Sequence, residues 1–163
     1  MYSNIGAHMK RIIPFFAFLI LAAGVLAEDT RCYELRIYTA AEGKLEALNA
    51  RFRDHTCALF EKHGLTNIGY WVPLDAKDNR LIYVISSPNR EAHAKSFKAF
   101  LNDPDWKKAY AASTKNGRLV AKIESTFLSA VDYSPAVKAG KAKGKRVFEL
   151  RTYVTAENRL KNL

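Results

Sequence analysis

Three residues with chemically useful side chains alternate along one short stretch of the sequence. Glu34, Arg36 and Tyr38 lie two positions apart in the segment YELRIYT, which is rich in β-forming residues. In a strand this spacing places all three side chains, here called the Glu-Arg-Tyr trio, on one face of a sheet. The arginine could hold a substrate carboxylate or enolate while the tyrosine donates a hydrogen bond. The alternative is structural, an ion pair between Glu34 and Arg36 that fixes the register of a dimer.

Two further side chains are candidates for a ligand site beside the trio. Trp71 lies in the second predicted strand, where it is either a core residue or the wall of a cavity. His55 falls near the inner edge of the first predicted helix, where it is either a satisfied buried histidine or a general base. His63 fits the last turn of that helix, and His93 is expected on a helix surface. The predicted ligand-binding set is Glu34, Arg36, Tyr38, His55 and Trp71.

The sequence motifs of several enzyme classes are absent. No two histidines have the HExxH spacing of a zinc enzyme, so no metal site is predicted. No glycine-rich phosphate loop, GxSxG nucleophile motif or paired-acid pattern occurs either. The sequence therefore predicts no cofactor and leaves the catalytic residues, if there is catalysis, unknown.

The order of predicted elements defines the fold that must position these residues. Strands are predicted over 33–39, 67–74, 81–85 and 121–131. A first helix is predicted over 42–63. A second helical region begins at Ser87-Pro88 and restarts at Asp103-Pro104, because proline is favoured just after a helix cap. The order β-α-β-β-α-β is that of the ferredoxin-like fold, an α+β module with a four-stranded antiparallel sheet and two helices on one face.

In this fold one face of the sheet carries the helices and the other is left open. The more apolar set Tyr33, Leu35 and Ile37 is expected beneath the helices, which assigns the Glu-Arg-Tyr trio to the open face. Because the other strands are largely apolar on both sides, the open face should not remain exposed to water. We therefore expect self-association through this face, with a second copy or a second module.

The opening of the module recurs near the end of the chain. Residues 31–48 read RCYELRIYTAAEGKLEAL and residues 146–163 read RVFELRTYVTAENRLKNL, with half of the aligned positions identical. We therefore expect one complete module at 31–135, followed by the first strand and helix start of a truncated second module. Between them, residues 136–145 combine cations with small residues, which is typical of a flexible linker.

The N-terminus has the layout of a secretory signal peptide, predicted over residues 1–27. Met9-Lys10-Arg11 is basic, with Met9 a candidate start, and an apolar run and small residues lead to a cleavage site after Ala27. The run is shorter than the roughly 20 residues of a spanning helix, so no membrane span is expected after cleavage, the alternative being an uncleaved anchor. The protein is therefore expected to be periplasmic or secreted.

The chain is basic and carries two cysteines. Its formal net charge is +10, and part of this excess lies in the linker, which lacks aromatic residues to stack on bases. Nucleic acid is therefore not an expected partner. Export would permit a disulfide between Cys32 and Cys57, although free thiols are the expected state.

Several strings, in this order and spacing, resemble the NIPSNAP family. They are YELRIYT at 33–39, GKLEAL at 43–48, HG at 63–64, GYW at 69–71 and DPDW at 103–106. The resemblance covers 31–135 and the fragment 146–163. It implies a dimeric α/β barrel, in which two ferredoxin-like modules pair sheet to sheet. Related groups include small monooxygenases, and the family itself has no agreed reaction.

Two hypotheses about function follow from this fold and these residues. The first is a small-ligand-binding or structural pairing domain, with Tyr38, Trp71 and Tyr83 filling the barrel interior. The alternative is a cofactor-free monooxygenase or isomerase acting on a small apolar substrate. In that case Arg36, Tyr38 and His55 would surround an open cavity of roughly a few hundred Å³.

Overall fold

The computed structural model describes residues 30–75, 77–135, 137, 146–157 and 159. The predicted signal peptide at 1–27, most of the predicted linker at 136–145 and the final residues 160–163 lie outside the described residues. Within the described part of the chain, no helix is long and apolar enough to span a membrane. Residues 146–156 form neither a strand nor a helix.

The four strands form one antiparallel sheet of order β2-β3-β1-β4. The strands are β1 (Cys32–Ala40), β2 (Thr66–Trp71), β3 (Arg80–Ser87) and β4 (Val120–Ser129). The helices are α1 (Leu45–Arg51), α2 (Cys57–Lys62), α3 (Arg90–Asn102) and α4 (Pro104–Thr114), with a π-helical turn at Phe52–Thr56 that joins α1 to α2. The predicted α+β ferredoxin-like module is thus confirmed.

Local sequence determines where the helices begin and end. Gly64 adopts a φ of 80°, which suits the residue after a helix, and ends α2 as predicted. Asp103 caps α4 as predicted, its side chain accepting a hydrogen bond from the Asp105 amide at 2.7 Å. The cap of α3 is Asn89 and not Ser87. Ser87 remains in the sheet, where it pairs with Cys32.

The core lies between the helices and one face of the sheet, and aromatic rings dominate it. The Tyr83 ring lies 5.0 Å from the Phe52 ring and 5.3 Å from the Tyr38 ring, between centroids. Phe60 and Leu48 are also fully buried there, at 1% and 0% exposure. Edge-to-face and tilted contacts of this kind add to the free energy gained by burying the rings.

The faces of β1 are the reverse of those predicted from its polarity. Glu34 and Tyr38 are buried beneath the helices, at 1% and 9% exposure. Leu35 and Ile37 lie on the open face, opposite Val84 and Ile82 of β3, and all four are partly exposed. The prediction was wrong because burial depends on partners as well as on polarity. A carboxylate that is fully paired can be buried under helices.

Candidate functional site

A buried ion pair stands at the centre of the helix-covered face. The Oε1 atom of Glu34 accepts hydrogen bonds from Arg36 Nη1 at 2.6 Å and from Ser125 Oγ at 2.5 Å. His93 Nε2 lies 2.9 Å from the other carboxylate oxygen. Burial by itself would raise the pKa of Glu34, but His93, Ser125 and Arg36 together hold this pKa below its usual value. The carboxylate is therefore ionised and holds the arginine in place.

His93 is part of this cluster and not of the helix surface, where the sequence predicted it. The residue is 3% exposed, and its ring is stacked on Phe97 at 5.8 Å and edge-on to Phe127 at 5.1 Å, between ring centroids. A signal for its burial was present in the sequence. His93 precedes Phe97 by four residues and Phe100 by seven, the spacing of one helix face.

A cavity of about 460 Å³ lies between the helices and the sheet, beside the ion pair. Nearly half of the residues around it are aromatic, and it extends to the part of β4 where Ile123 is 51% exposed. The residues around it include Arg36, Tyr38, Arg51, Phe52, Phe60, Phe97, Phe100, Trp106, Tyr110, Ala121 and Ile123. Such a volume, with few polar groups, is typical of small-molecule sites.

Arg51 is the second cation of this cavity, and it was not among the site residues predicted from the sequence. The residue is 5% exposed, and its guanidinium carbon lies 5.3 Å from the Trp106 ring centroid and 5.4 Å from that of Tyr110. Its Nη1 donates a long hydrogen bond of 3.4 Å to Ser113 Oγ. No carboxylate of the described residues forms an ion pair with it. Burial lowers the pKa of Arg51 below its ordinary value.

The π-helical turn begins directly after Arg51. The Thr56 hydroxyl donates a 3.2 Å hydrogen bond to the Arg51 carbonyl, five residues earlier. Turns of this kind, with one extra residue inserted in a helix, occur frequently at functional sites. Phe52 and Thr56, the first and last residues of the turn, are both buried and line the cavity.

The remaining two predicted site residues lie away from the cavity. His55 is exposed on the π-helical turn, so its expected position at the inner edge of the helix was wrong. The buried position in this turn is taken by the next residue, Thr56. Trp71 lies on the open sheet face, where its ring is 5.6 Å from that of Phe148. Of the predicted set, Arg36 and Tyr38 line the cavity and Glu34 supports Arg36.

A second cavity, of about 550 Å³, lies on the open face. The sheet provides Leu35, Ile82 and Val84, and Trp71 lies at one side. Residues 146–150, from the repeat of the β1 sequence, provide the opposing side. The barrel interior was predicted to hold Tyr38, Trp71 and Tyr83 together, but Tyr38 and Tyr83 lie on the other face of the sheet.

The described residues include no cluster of three or more potential metal ligands. Both cysteines are free thiols, with Cys32 buried and Cys57 half-buried. Burial raises the pKa of the Cys57 thiol, which makes it a poor nucleophile.

The sheet, its helices and the cavity beneath them define a ferredoxin-like α+β domain. The NIPSNAP family model matches residues 33–135, and the chain therefore belongs to the NIPSNAP family. A comparison with curated proteins gives no match.

Solved structures with the same fold include proteins from two bacteria. A NIPSNAP-like domain protein from Burkholderia xenovorans is 17% identical with a TM-score of 0.59, over 68% of this chain and 94% of the other. A NIPSNAP family protein from Agrobacterium tumefaciens is 21% identical with a TM-score of 0.57, over 64% and 97%. At these identities the likeness concerns the fold alone.

Proposed function

We propose that the protein is a small-ligand-binding domain whose ligand occupies the cavity between the helices and the sheet. One observation carries the proposal: this cavity of about 460 Å³ is lined by seven aromatic side chains and bordered by two arginines, Arg51 buried and Arg36 half-buried. The proposed ligand site thus lies inside one module, on the helix-covered face of the sheet. The sequence instead predicted a ligand site in the barrel interior, on the open face.

The arrangement of the polar groups favours binding over catalysis. Arg36 faces the cavity in a fixed position because Glu34 holds it by a charge-assisted hydrogen bond. None of the three histidines of the described residues lines the cavity: His55 is exposed, His63 lies against Asp103, and His93 lies against Glu34. A cofactor-free monooxygenase or isomerase would need a base within hydrogen-bond reach of its substrate.

A neutral fluorescent probe tests this proposal. N-phenyl-1-naphthylamine should bind the protein and increase in fluorescence. The variant Ala121→Trp places a large ring at an exposed position of β4 that lines the cavity. This variant should weaken probe binding about tenfold or more, whereas Ala112→Trp, on the exposed surface of α4, should leave it unchanged. Absence of binding, or equal binding by both variants, would contradict the proposal.

We also propose that the open sheet face pairs with a second copy of the module. Leu35, Ile37, Ile82 and Val84 form a partly exposed apolar patch at its centre. In addition, Phe148 of the sequence that repeats β1 lies against Trp71 of this face. These two observations support pairing, because apolar sheet faces of this kind are rarely left in contact with water.

Light scattering coupled to size exclusion tests the pairing. The unaltered protein should form a dimer, and Ile82→Lys should shift it to a monomer because the lysine charge would be buried in the interface. Ala111→Lys adds the same charge on the exposed surface of α4 and should leave the dimer intact. A protein that stays monomeric across a concentration series would refute pairing without affecting the ligand proposal.

A further inference from the structure

The cavity contains one charge that the structure leaves without a counter-ion. Arg36 and Glu34 form a pair and cancel each other. Lys122, at the edge of the cavity, is 66% exposed and pairs with Glu124 at 2.5 Å. Arg51 is buried, and among the described residues its guanidinium has one hydrogen bond, to the Ser113 hydroxyl, two cation–π contacts and no ion pair with a carboxylate. The cavity therefore carries a net single positive charge.

A buried cation without an anion is costly, because desolvation disfavours the charged form. The Nε atom of Arg51 is also buried without a hydrogen-bond partner. Most buried polar groups in folded proteins have a partner, and an exception calls for an explanation such as an absent ligand. A guanidinium presents five donors in a planar fork that matches a carboxylate or sulfonate.

The neighbours of Arg51 indicate the shape of the molecule that would supply this anion. Its guanidinium lies near the faces of Trp106 and Tyr110, and Phe52 and Tyr38 form adjoining walls of the cavity. Flat rings pack favourably against aromatic walls in offset-stacked or edge-to-face geometry. The volume of about 460 Å³ is large enough for a body of two fused rings.

We propose that the cavity binds a planar aromatic acid whose single carboxylate or sulfonate is held by Arg51. This inference rests on the proposed ligand-binding function and specifies the chemical class of the ligand. Arg51 supplies the charge recognition, the aromatic walls hold the ring system, and Arg36 remains bound to Glu34. A neutral ring system of the same size would occupy the cavity more weakly, because it leaves Arg51 unpaired.

Two probes that differ by one anionic group test the inference. The first is N-phenyl-1-naphthylamine, and the second is 8-anilino-1-naphthalenesulfonate, the same ring system with a sulfonate. Arg51→Met should weaken binding of the sulfonate about tenfold to a hundredfold and change binding of the neutral probe by less than about twofold. Arg51→Lys should restore part of the preference. Arg53→Met removes an arginine that is 65% exposed and should change neither affinity.

The possible outcomes separate this inference from the function on which it rests. If the neutral probe binds in the cavity but Arg51→Met leaves the preference for the sulfonate unchanged, the inference is wrong and the ligand-binding proposal stands. If neither probe binds, both are wrong. Should Arg51→Met fail to fold, competition on the unaltered protein decides. There 2-naphthoate should displace the neutral probe at least about tenfold better than 2-naphthamide, and equal displacement would overturn the inference.

Discussion

The two arginines of the cavity should differ strongly in their response to the same substitution. Arg36→Met breaks an ion pair whose partner, Glu34, is 1% exposed. The carboxylate would then remain buried with one of its hydrogen-bond donors removed. Arg51→Met removes a cation that has no carboxylate partner among the described residues. The first change should destabilise the fold strongly, and the second should not.

The directions of the two pKa shifts agree with this expectation. Burial by itself would lower the pKa of Arg36, but Tyr83, Tyr38 and Glu34 raise it above the ordinary value. Of these three, Glu34 is the group that is charged at neutral pH, and its carboxylate favours the charged form of Arg36 in the folded state. The pKa of Arg51 is lowered by burial, so folding disfavours its charged form.

The magnitudes follow from the surroundings of each side chain. Removing one partner of a buried ion pair costs about 3–5 kcal/mol, and the low end applies to Arg36 because its side chain keeps 12% exposure. For Arg51 the loss of cation–π contacts, about 0.5–2 kcal/mol, opposes the relief of an uncompensated buried charge. We expect its net effect to lie within about 1 kcal/mol of zero, since methionine fills most of the volume.

Urea unfolding followed by far-ultraviolet circular dichroism measures both free energies of unfolding. This signal does not depend on the fluorescence of Trp106, whose ring Arg51 contacts directly. The expected difference between the variants is about 2–4 kcal/mol, with Arg51→Met the more stable. The exposed Arg53→Met is the matched control and should resemble the unaltered protein. Equal destabilisation by Arg36→Met and Arg51→Met would refute the distinction between a paired and an unpaired arginine.

Three further outcomes can be measured. The pKa of Asp103 is lowered by Lys62 and His63, so its contribution to stability is present above the ordinary value of 3.8 and is lost as the pH falls below it. Asp103→Asn should accordingly flatten the loss of stability in acid, and an unchanged acid profile would contradict this. Asn89→Ala should cost about 1 kcal/mol in urea unfolding, because the Ala92 amide loses its 2.8 Å hydrogen bond, and a variant of unchanged stability would show that the cap is dispensable. Finally, we propose that residues 1–27 direct export. Fused to alkaline phosphatase, which is active only outside the cytoplasm, they should give activity in bacteria, and substitution of the apolar run by polar residues should abolish it.

The sequence contained enough information for the fold but not for the site. Three local signals each predicted a strand or a helix boundary. They are the alternation in β1, the glycine after α2 and the Asp103-Pro104 cap before α4. The partners of Glu34 are not local, since Ser125 lies 91 residues away in the chain. Polarity alone therefore assigned the Glu-Arg-Tyr trio to the open face of the sheet, which was wrong. No residue nearby in the sequence indicates that the Glu34 carboxylate will be paired with an arginine and a histidine.

The burial of Arg51 could not be predicted from the sequence for the same reason. Its position three residues after Leu48 places it on the buried stripe of α1, but a single arginine on such a stripe more often extends its charged end to water. Its burial depends on Trp106 and Tyr110 of α4, whose contact with α1 no local pattern indicates.

The orientation of α1 depends on the one extra residue that the π-helical turn contains. An α-helix turns by about 100° for each residue, so the extra residue in Phe52–Thr56 offsets α1 from α2 by roughly that angle. Deleting one residue here would restore a regular helix while Phe60 kept its place in the core. Arg51 would then rotate out of the cavity. The length of this helical segment therefore determines whether this chain presents an arginine to the cavity.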